Sequence, residues 1–130
     1  MPKATQLSVS MPNKVGALAQ LCSTLARSGV NISAMLAPEI TGRGRIRLLV
    51  DNVEKAKDAL KEAKIRFSEE EVLTIDVDNT PGSFGNIARK LAQFKINIKY
   101  AYSTAPSGTA KATVVLGVSD VAKAIEALRE

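Results

Sequence analysis

One stretch of the sequence combines residue types that could bind a small anion: Asn79-Thr80-Pro81-Gly82, followed by Ser83. Thr80 suits a helix N-cap, and Pro81 suits the first helical position because that position needs no N–H donor. Gly82 has no Cβ, so a ligand can approach its backbone closely. The N–H groups after Pro81 would then point at an anion from a helix N-terminus. The alternative is a strand-to-helix turn that binds nothing.

The same pattern occurs twice in the chain, at a spacing of 66 residues. The matched residues include the turn and the start of the next strand, where Asn79, Gly82 and Asn97 correspond to Asn13, Gly16 and Asn31. Beyond the next hairpin the spacing becomes 68, which indicates a two-residue insertion that makes the hairpin near Ser107-Gly108 the longer one. An internal repeat of this length predicts two similar units. Units of about 65 residues are marginal alone, so we expect them to pack together and the chain to form a homodimer.

Composition excludes several kinds of chemistry. The chain has no histidine, which removes histidine general bases, most transition-metal sites and the usual serine or cysteine triads. The single cysteine, Cys22, lies on one helical stripe with Leu18, Leu21 and Leu25, and we expect all four in the core. We expect no catalytic residue, no metal and no cofactor.

The net charge of +5 is distributed unevenly. Residues 1–66 carry 11 basic and 5 acidic side chains, whereas residues 67–130 carry 7 and 8. No apolar run is long enough to span a membrane, and the N-terminus lacks the apolar core of a signal peptide. We therefore expect a soluble cytoplasmic protein that does not bind membranes.

Apolar periodicity predicts the order β-α-β-β-α-β in each repeat. The expected elements of the first repeat are strand 6–11, helix 15–28, strand 30–37, strand 44–50, a helix that ends at 63, and strand 64–72. Those of the second are strand 72–78, helix 81–94, strand 96–103, strand 110–118 and helix 119–129. The fold class is α+β, with two tandem ferredoxin-like units, antiparallel sheets and no last strand in the second unit. Glu69-Glu70-Glu71 marks the expected boundary between domains 1–70 and 71–130.

These features resemble the ACT domain, a small regulatory module that binds amino acids. The resemblance rests on an apolar strand that ends in Asn-x-Pro-Gly, a helix with Phe84, Ile87 and Leu91, and the sequence Ile96-Asn97-Ile98. The first repeat has Asn13-Lys14-Val15-Gly16 at the same place. The duplicated order resembles the stand-alone proteins made of two tandem ACT domains, nearly end to end.

The resemblance implies a sensor that binds a free amino acid at a domain interface and modulates a partner enzyme of amino-acid metabolism. In this family the turn binds the carboxylate, and in serine-sensing members asparagines bind the polar groups of the amino acid. An amide suits this role because it both donates and accepts hydrogen bonds. The implied ligand-binding residues are Asn79, Thr80, Gly82, Ser83 and Asn97 in the second repeat, and Asn13, Gly16 and Asn31 in the first.

The first repeat departs from the family pattern. Val15 replaces the proline, and Lys14 stands where a cap would lie. Lys14 could add a positive charge near a carboxylate, or this turn could be only structural. We therefore favour the second repeat as the binding site.

Three other functions are compatible with parts of the sequence. RNA-recognition domains share the β-α-β-β-α-β order, but they stack bases on aromatic residues of their first and third strands, and the corresponding strands here have none. An enzyme would need paired acid and base groups, and Asp76 and Asp78 have no such partner at a recognisable spacing. A regulatory or structural subunit without a ligand stays open.

Overall fold

A computed structural model describes residues 3–39, 41–104 and 108–129. In chain order the helices and strands are β1 (Lys3–Pro12), α1 (Ala17–Arg27), β2 (Ile32–Leu36), β3 (Arg43–Val50), α2 (Val53–Glu62), β4 (Phe67–Asp78), α3 (Ser83–Gln93), β5 (Ile98–Thr104), β6 (Lys111–Val118) and α4 (Val121–Leu128). The predicted α+β class and the two tandem ferredoxin-like units are confirmed. The turn of the hairpin between β5 and β6 includes residues 105–107, which lie outside the described residues, so its predicted extra length stays a prediction.

The chain divides into two compact units. The first unit is Thr5–Glu70, and the second contains the chain from Glu71 onward together with the start of β1. The two predicted strands 64–72 and 72–78 are one strand, β4, whose first four residues belong to the first unit. The Glu69-Glu70-Glu71 run lies inside this strand, and its carboxylates form ion pairs with Lys57, Arg47 and Lys3, respectively.

In the first unit the strand order is β2-β3-β1-β4, with antiparallel pairs. Alternate residues of β1 point to opposite faces of the sheet, because side chains in a strand have a period of two. Leu7, Val9 and Met11 are buried in a core that α1 and α2 complete with Leu21, Leu25 and Leu60. The residues between them, Gln6, Ser8 and Ser10, lie on the other face.

In the second unit the strand order is β4-β6-β5, again with antiparallel pairs. Leu73, Leu116 and Leu91 are fully buried in its core, where Ala124 and Ala127 of α4 also pack. Among the residues that the structure describes, no strand of this unit follows α4, as predicted.

Both edge strands contain a bulge at the same repeat position. The pairing of β2 with β3 shifts between Ile32 and Ala34, and that of β5 with β6 shifts between Ile98 and Tyr100. A bulge inserts one residue and so changes which alternate residues face the core.

The four helices begin in two different ways. Before α2 and α4, the side chains of Asn52 and Asp120 accept hydrogen bonds from the N–H groups three residues on, at 3.1 and 3.0 Å. Before α1 and α3, Gly16 and Gly82 are the N-caps in the left-handed conformation, with φ of 87° and 85°. No helix in the described ranges is long and apolar enough to cross a membrane.

Two predicted details of the second turn are wrong. The helix begins at Ser83, not at Pro81, because the positive φ of Gly82 interrupts the helical backbone there. The hydroxyl of Thr80 does not cap the helix, because it bonds the Ser83 hydroxyl at 2.8 Å instead.

Several apolar residues of the predicted helical stripes, among them Leu18, Phe84, Ile87 and Cys22, are not fully buried. Leu18 and Phe84 are each 41% exposed, because both project from the first turn of a helix beside a surface pocket. Cys22 is half-buried.

The ring of Tyr100 lies directly over Gly117 of the neighbouring strand. A Cβ at position 117 would fall on carbon atoms of that ring. We expect Gly117→Ala to lower the free energy of unfolding by about 1–3 kcal/mol, the usual cost of overpacking, as measured by urea denaturation.

The matched control is Gly85→Ala in α3, where a Cβ meets nothing within 4 Å. It should leave stability unchanged or raise it by up to about 1 kcal/mol, because alanine favours a helix over glycine. Equal destabilisation by both variants would contradict the packing of Tyr100 on Gly117.

Candidate functional site

The second turn is fixed to the start of β6 by Asn79. The backbone N–H of Asn79 donates to the carbonyl of Ala110 at 2.9 Å, and its side-chain Nδ2 donates to the carbonyl of Thr109 at 3.1 Å. Asn79, which we expected to bind a ligand, therefore holds the turn in place.

The donors that this turn offers differ from those expected. The N–H of Ser83 is used within the turn, because it donates to the Thr80 carbonyl at 3.3 Å. Over the described ranges, the N–H groups of Gly82, Phe84 and Gly85 donate to no backbone acceptor outside their own helix. A Cβ on Gly82 would meet nothing within 4 Å, so the space in front of this helix N-terminus is open.

The first turn has the same backbone geometry. Asn13 donates its N–H to Gly42, just before β3, at 2.6 Å, and the N–H of Ala17 is used within the turn. The space in front of Gly16 is also open. Val15, which replaces the proline of the second turn, is fully exposed, so this departure from the family pattern leaves the turn intact.

A small pocket lies at the corresponding place in each unit. The pocket of the first unit has a volume of about 180 Å³ and is lined by Met11, Pro12, Asn13, Lys14, Ala17, Leu18, Ala37, Pro38 and Ile46. That of the second has a volume of about 150 Å³ and is lined by Phe84, Ala101, Tyr102, Ser103 and Val114. Leu18, Ala37 and Ile46 correspond by the repeat spacing to Phe84, Ser103 and Val114. The first pocket includes an amide and an ammonium group, so the geometry does not favour the second turn.

The structure separates the asparagines that we expected to act together within a unit. Asn79 bonds to Ala110, before the first residue of β6, whereas the N–H of Asn97 donates to the hydroxyl of Ser119, after the last. Nine residues of extended strand place these ends roughly 30 Å apart. Asn31 is placed likewise: its N–H donates to the carboxylate of Asp51 at 2.9 Å, beyond the end of β3.

The exposed Leu18 and Phe84 are the pocket residues that sequence reasoning missed. Each follows the left-handed glycine by two residues, and each fits the apolar stripe of its helix. The two residues correspond at the repeat spacing of 66, and this correspondence could have identified them as pocket residues from the sequence.

The carboxylates beside the second turn already have partners. Asp78 pairs with Lys111 at 2.7 Å, and Asp76 accepts from the hydroxyl of Thr113 at 2.8 Å. The hydrogen bond from Lys111, with its positive charge, lowers the pKa of Asp78, and Asp78 in turn raises the pKa of Lys111. Over the described residues, no group of three or more His, Cys, Asp or Glu side chains is placed to hold a metal ion.

We expect Lys111→Gln to raise the pKa of Asp78 toward its ordinary value, as measured by NMR titration of the side-chain carboxyl. Because folding lowers this pKa, the pair stabilises the fold above the unfolded pKa, and that contribution disappears as the pH falls through the folded pKa. Lys123→Gln, which removes an equal charge from α4, is the control and should leave the titration unchanged. An Asp78 pKa that stays low in Lys111→Gln would contradict the pairing.

Comparison with known proteins shows which family the chain belongs to. A family model described as an ACT domain pair matches residues 3–128. The crystal structure of a protein from Bacteroides thetaiotaomicron is 32% identical, covers 98% of this chain and 87% of its own, and superposes with a TM-score of 0.91. No curated protein matches the sequence.

The fold also occurs in regulatory subunits of aspartate kinase. The ligand-free subunit from Thermus thermophilus is 16% identical, with 99% of this chain and 96% of that chain covered and a TM-score of 0.67. The subunit from Thermus flavus is 17% identical, with 99% and 94% covered and a TM-score of 0.66. At these identities the likeness concerns the fold alone. The family match over nearly the whole chain and the 32% identical relative show that this chain belongs to the family of ACT domain pairs.

Proposed function

We propose that this ACT domain pair is a regulatory protein that binds a free amino acid at its strand-to-helix turns and modulates an enzyme of amino-acid metabolism. The observation that carries the proposal is the pair of corresponding pockets, each beside a left-handed glycine at a helix N-terminus. ACT domains are regulatory, which fits a role without catalysis.

In this proposal the carboxylate of the amino acid binds at the helix N-terminus. In the second turn the N–H groups of Gly82, Phe84 and Gly85 are the donors, and the helix dipole adds a favourable field. In the first turn Lys14, which lines the pocket, adds a positive charge. Thr80 and Ser83, whose hydroxyls bond each other, shape the entrance to the second turn.

Asn31 and Asn97 do not reach a ligand that is bound at the turn of their own unit. Each lies roughly 30 Å from the turn of its own unit, so it cannot contact an amino acid bound there. We therefore propose a homodimer in which each of these asparagines approaches a turn of the other copy.

The partner is proposed by analogy of fold. Two structures with a similar fold are regulatory subunits of aspartate kinase. Analogy of fold alone names a class and not a partner. We accordingly propose a cytoplasmic enzyme of amino-acid metabolism as the regulated protein.

A thermal-shift screen against the twenty amino acids tests ligand binding directly. At about 100 times the Kd, a ligand should stabilise the protein by roughly 2.7 kcal/mol, because only the folded state binds it. If no amino acid raises the Tm at millimolar concentration, the sensor function is wrong, and a regulatory subunit without a ligand becomes the better account.

The site is tested by adding a side chain at each left-handed glycine. We expect Gly82→Asn and Gly16→Asn to weaken binding of the stabilising amino acid at least tenfold in calorimetric titration, because the new side chain occupies the approach to the N–H groups. Asparagine tolerates the left-handed conformation, whereas the larger β-branched valine would strain it.

The control is Gly29→Asn, since Gly29 is also left-handed, with φ of 74°, but follows the C-terminal end of α1. It should bind as the wild type does. Wild-type affinity in both turn variants would place the site elsewhere.

Light scattering at micromolar concentration tests the dimer, which should have twice the 13.8 kDa mass of the chain. The edge strands β2 and β5 each have a strand neighbour on one side only, so they offer backbone groups for pairing. Asn97→Ala should weaken amino-acid binding by about 1–3 kcal/mol, since a polar partner would be left unpaired. A monomer that still binds the amino acid would contradict the shared site but not the sensor function.

A further inference from the structure

The sheet face of the first unit that lies opposite α1 and α2 is covered by polar side chains, and we call it the polar face. Its residues come from three neighbouring strands: Gln6, Ser8 and Ser10 along β1, Arg43, Arg45 and Arg47 along β3, Ser68 and Glu70 at the start of β4, and Arg66 just before it. Four of these nine residues are basic and one is acidic.

A cleft of about 280 Å³ opens on this face, lined by Ser8, Ser10, Arg45, Arg66, Phe67 and Ser68. Its lining therefore contains two guanidinium groups, three hydroxyls and no carboxylate. The carboxylate of the polar face, Glu70, is already engaged, because it accepts from Gln6 at 3.0 Å and from Arg47 at 3.3 Å. The positive charge of the cleft is not neutralised from within its lining.

The three serines of the cleft are held as hydrogen-bond donors. Nη1 of Arg45 donates to the hydroxyl oxygens of Ser8 and Ser68, at 3.2 Å each, and Nε of Arg43 donates to that of Ser10 at 2.9 Å. Each serine oxygen thus accepts from a guanidinium, which leaves its own O–H to donate. Ser8 is fully buried, whereas Ser68 is exposed. Ser10 and Ser68, which are not fully buried, can therefore donate to a ligand that accepts.

Arg66 adds a second cation to the cleft. Its backbone carbonyl accepts the N–H of Ser10 at 2.9 Å, which fixes Arg66 beside that serine. Its guanidinium has no partner among the residues that the structure describes. A planar guanidinium matches two oxygens of a phosphoryl group at once.

We propose that this cleft binds a tetrahedral oxyanion of the phosphate type, as free phosphate or as the phosphoryl group of a small metabolite. Every polar side chain in its lining donates, and a phosphate accepts at all of its oxygens. A free amino acid fits poorly, because its ammonium would lie beside two guanidinium groups and no carboxylate. The cleft lies on the sheet face opposite the helices and shares no lining residue with the turn pocket of the same unit, so the proposal does not depend on amino-acid binding.

The test is titration of the full chain, followed by ¹H–¹⁵N NMR at constant ionic strength. The probes are inorganic phosphate, glycerol 3-phosphate and, for comparison, chloride. We expect saturable shifts at residues 8, 10, 45, 66 and 68 with phosphate but not with chloride. Tighter binding of glycerol 3-phosphate than of phosphate would assign the site to a phosphorylated metabolite, and the reverse order would assign it to the free anion.

Two variants distinguish a specific phosphate site from general attraction of anions to a basic surface. Arg66→Gln removes an exposed cation without a partner, and it should weaken phosphate binding about tenfold or more, as expected for a lost charge-assisted hydrogen bond. Ser68→Ala keeps every charge, removes an exposed hydroxyl of the cleft and should also weaken binding several-fold. Arg27→Gln, at an exposed position of α1 in the same unit, is the matched control for charge and should bind as the wild type does.

The proposal is overturned if phosphate gives no saturable shift, or if Arg27→Gln weakens binding as much as Arg66→Gln. It is also overturned if a single-stranded RNA shifts these residues while phosphate does not, since the polar face would then bind a nucleic-acid backbone through its overall charge.

Discussion

Strand β1 sends alternate side chains to opposite faces of its sheet, and both surfaces of the first unit depend on that alternation. Leu7, Val9 and Met11 are buried against the helices, while Gln6 and Ser8 are buried on the other side. Register is strongly specified in such a strand, because a slip of one residue would exchange the two sets. Burial of Ser8 is tolerated because Arg45 hydrogen-bonds its oxygen. The apolar side chains of β1 include Met11, which lines the pocket of the first unit, and the polar side chains of β1 form part of the polar face.

The two turns show which residues determine the backbone and which are free to differ. Gly16 and Gly82 have nearly the same left-handed conformation, although one follows a valine and the other a proline. The turns are also anchored alike. The backbone N–H of Asn13 donates to the carbonyl of Gly42, just before β3, and that of Asn79 donates to the carbonyl of Ala110, just before β6. The backbone conformation therefore follows from the glycine and from a backbone hydrogen bond three residues before it. Side chains that only line the pocket, such as Lys14, can set the ligand preference of each unit.

The repeat made the fold predictable, because two copies of one apolar pattern restrict the element order twice. The register in which the strands pair could not be predicted from the sequence. The proximity of Asn97 to the turn assumed a pairing that sequence order does not give, and the pairing of β5 with β6 places Asn97 beside Ser119 instead. Helical periodicity correctly placed Leu21, Leu25 and Leu91 in the core. It failed for Leu18 and Phe84, because periodicity shows which face of a helix is buried but not which turns of that face are covered by other residues. The polar face was visible only as alternating arginines, since its serines come from strands far apart in sequence.

The bulges in β2 and β5 have a consequence for the history of the chain. In each edge strand one extra residue, Ser33 or Lys99, interrupts the pairing, and these two positions are 66 residues apart. The bulge lets Ile32 and Met35 both reach the core, although strict alternation would send them to opposite faces. One insertion at the same place in both copies is more simply inherited once than acquired twice. The irregularity in the strand is therefore older than the duplication, and the side chains of the two pockets diverged after it.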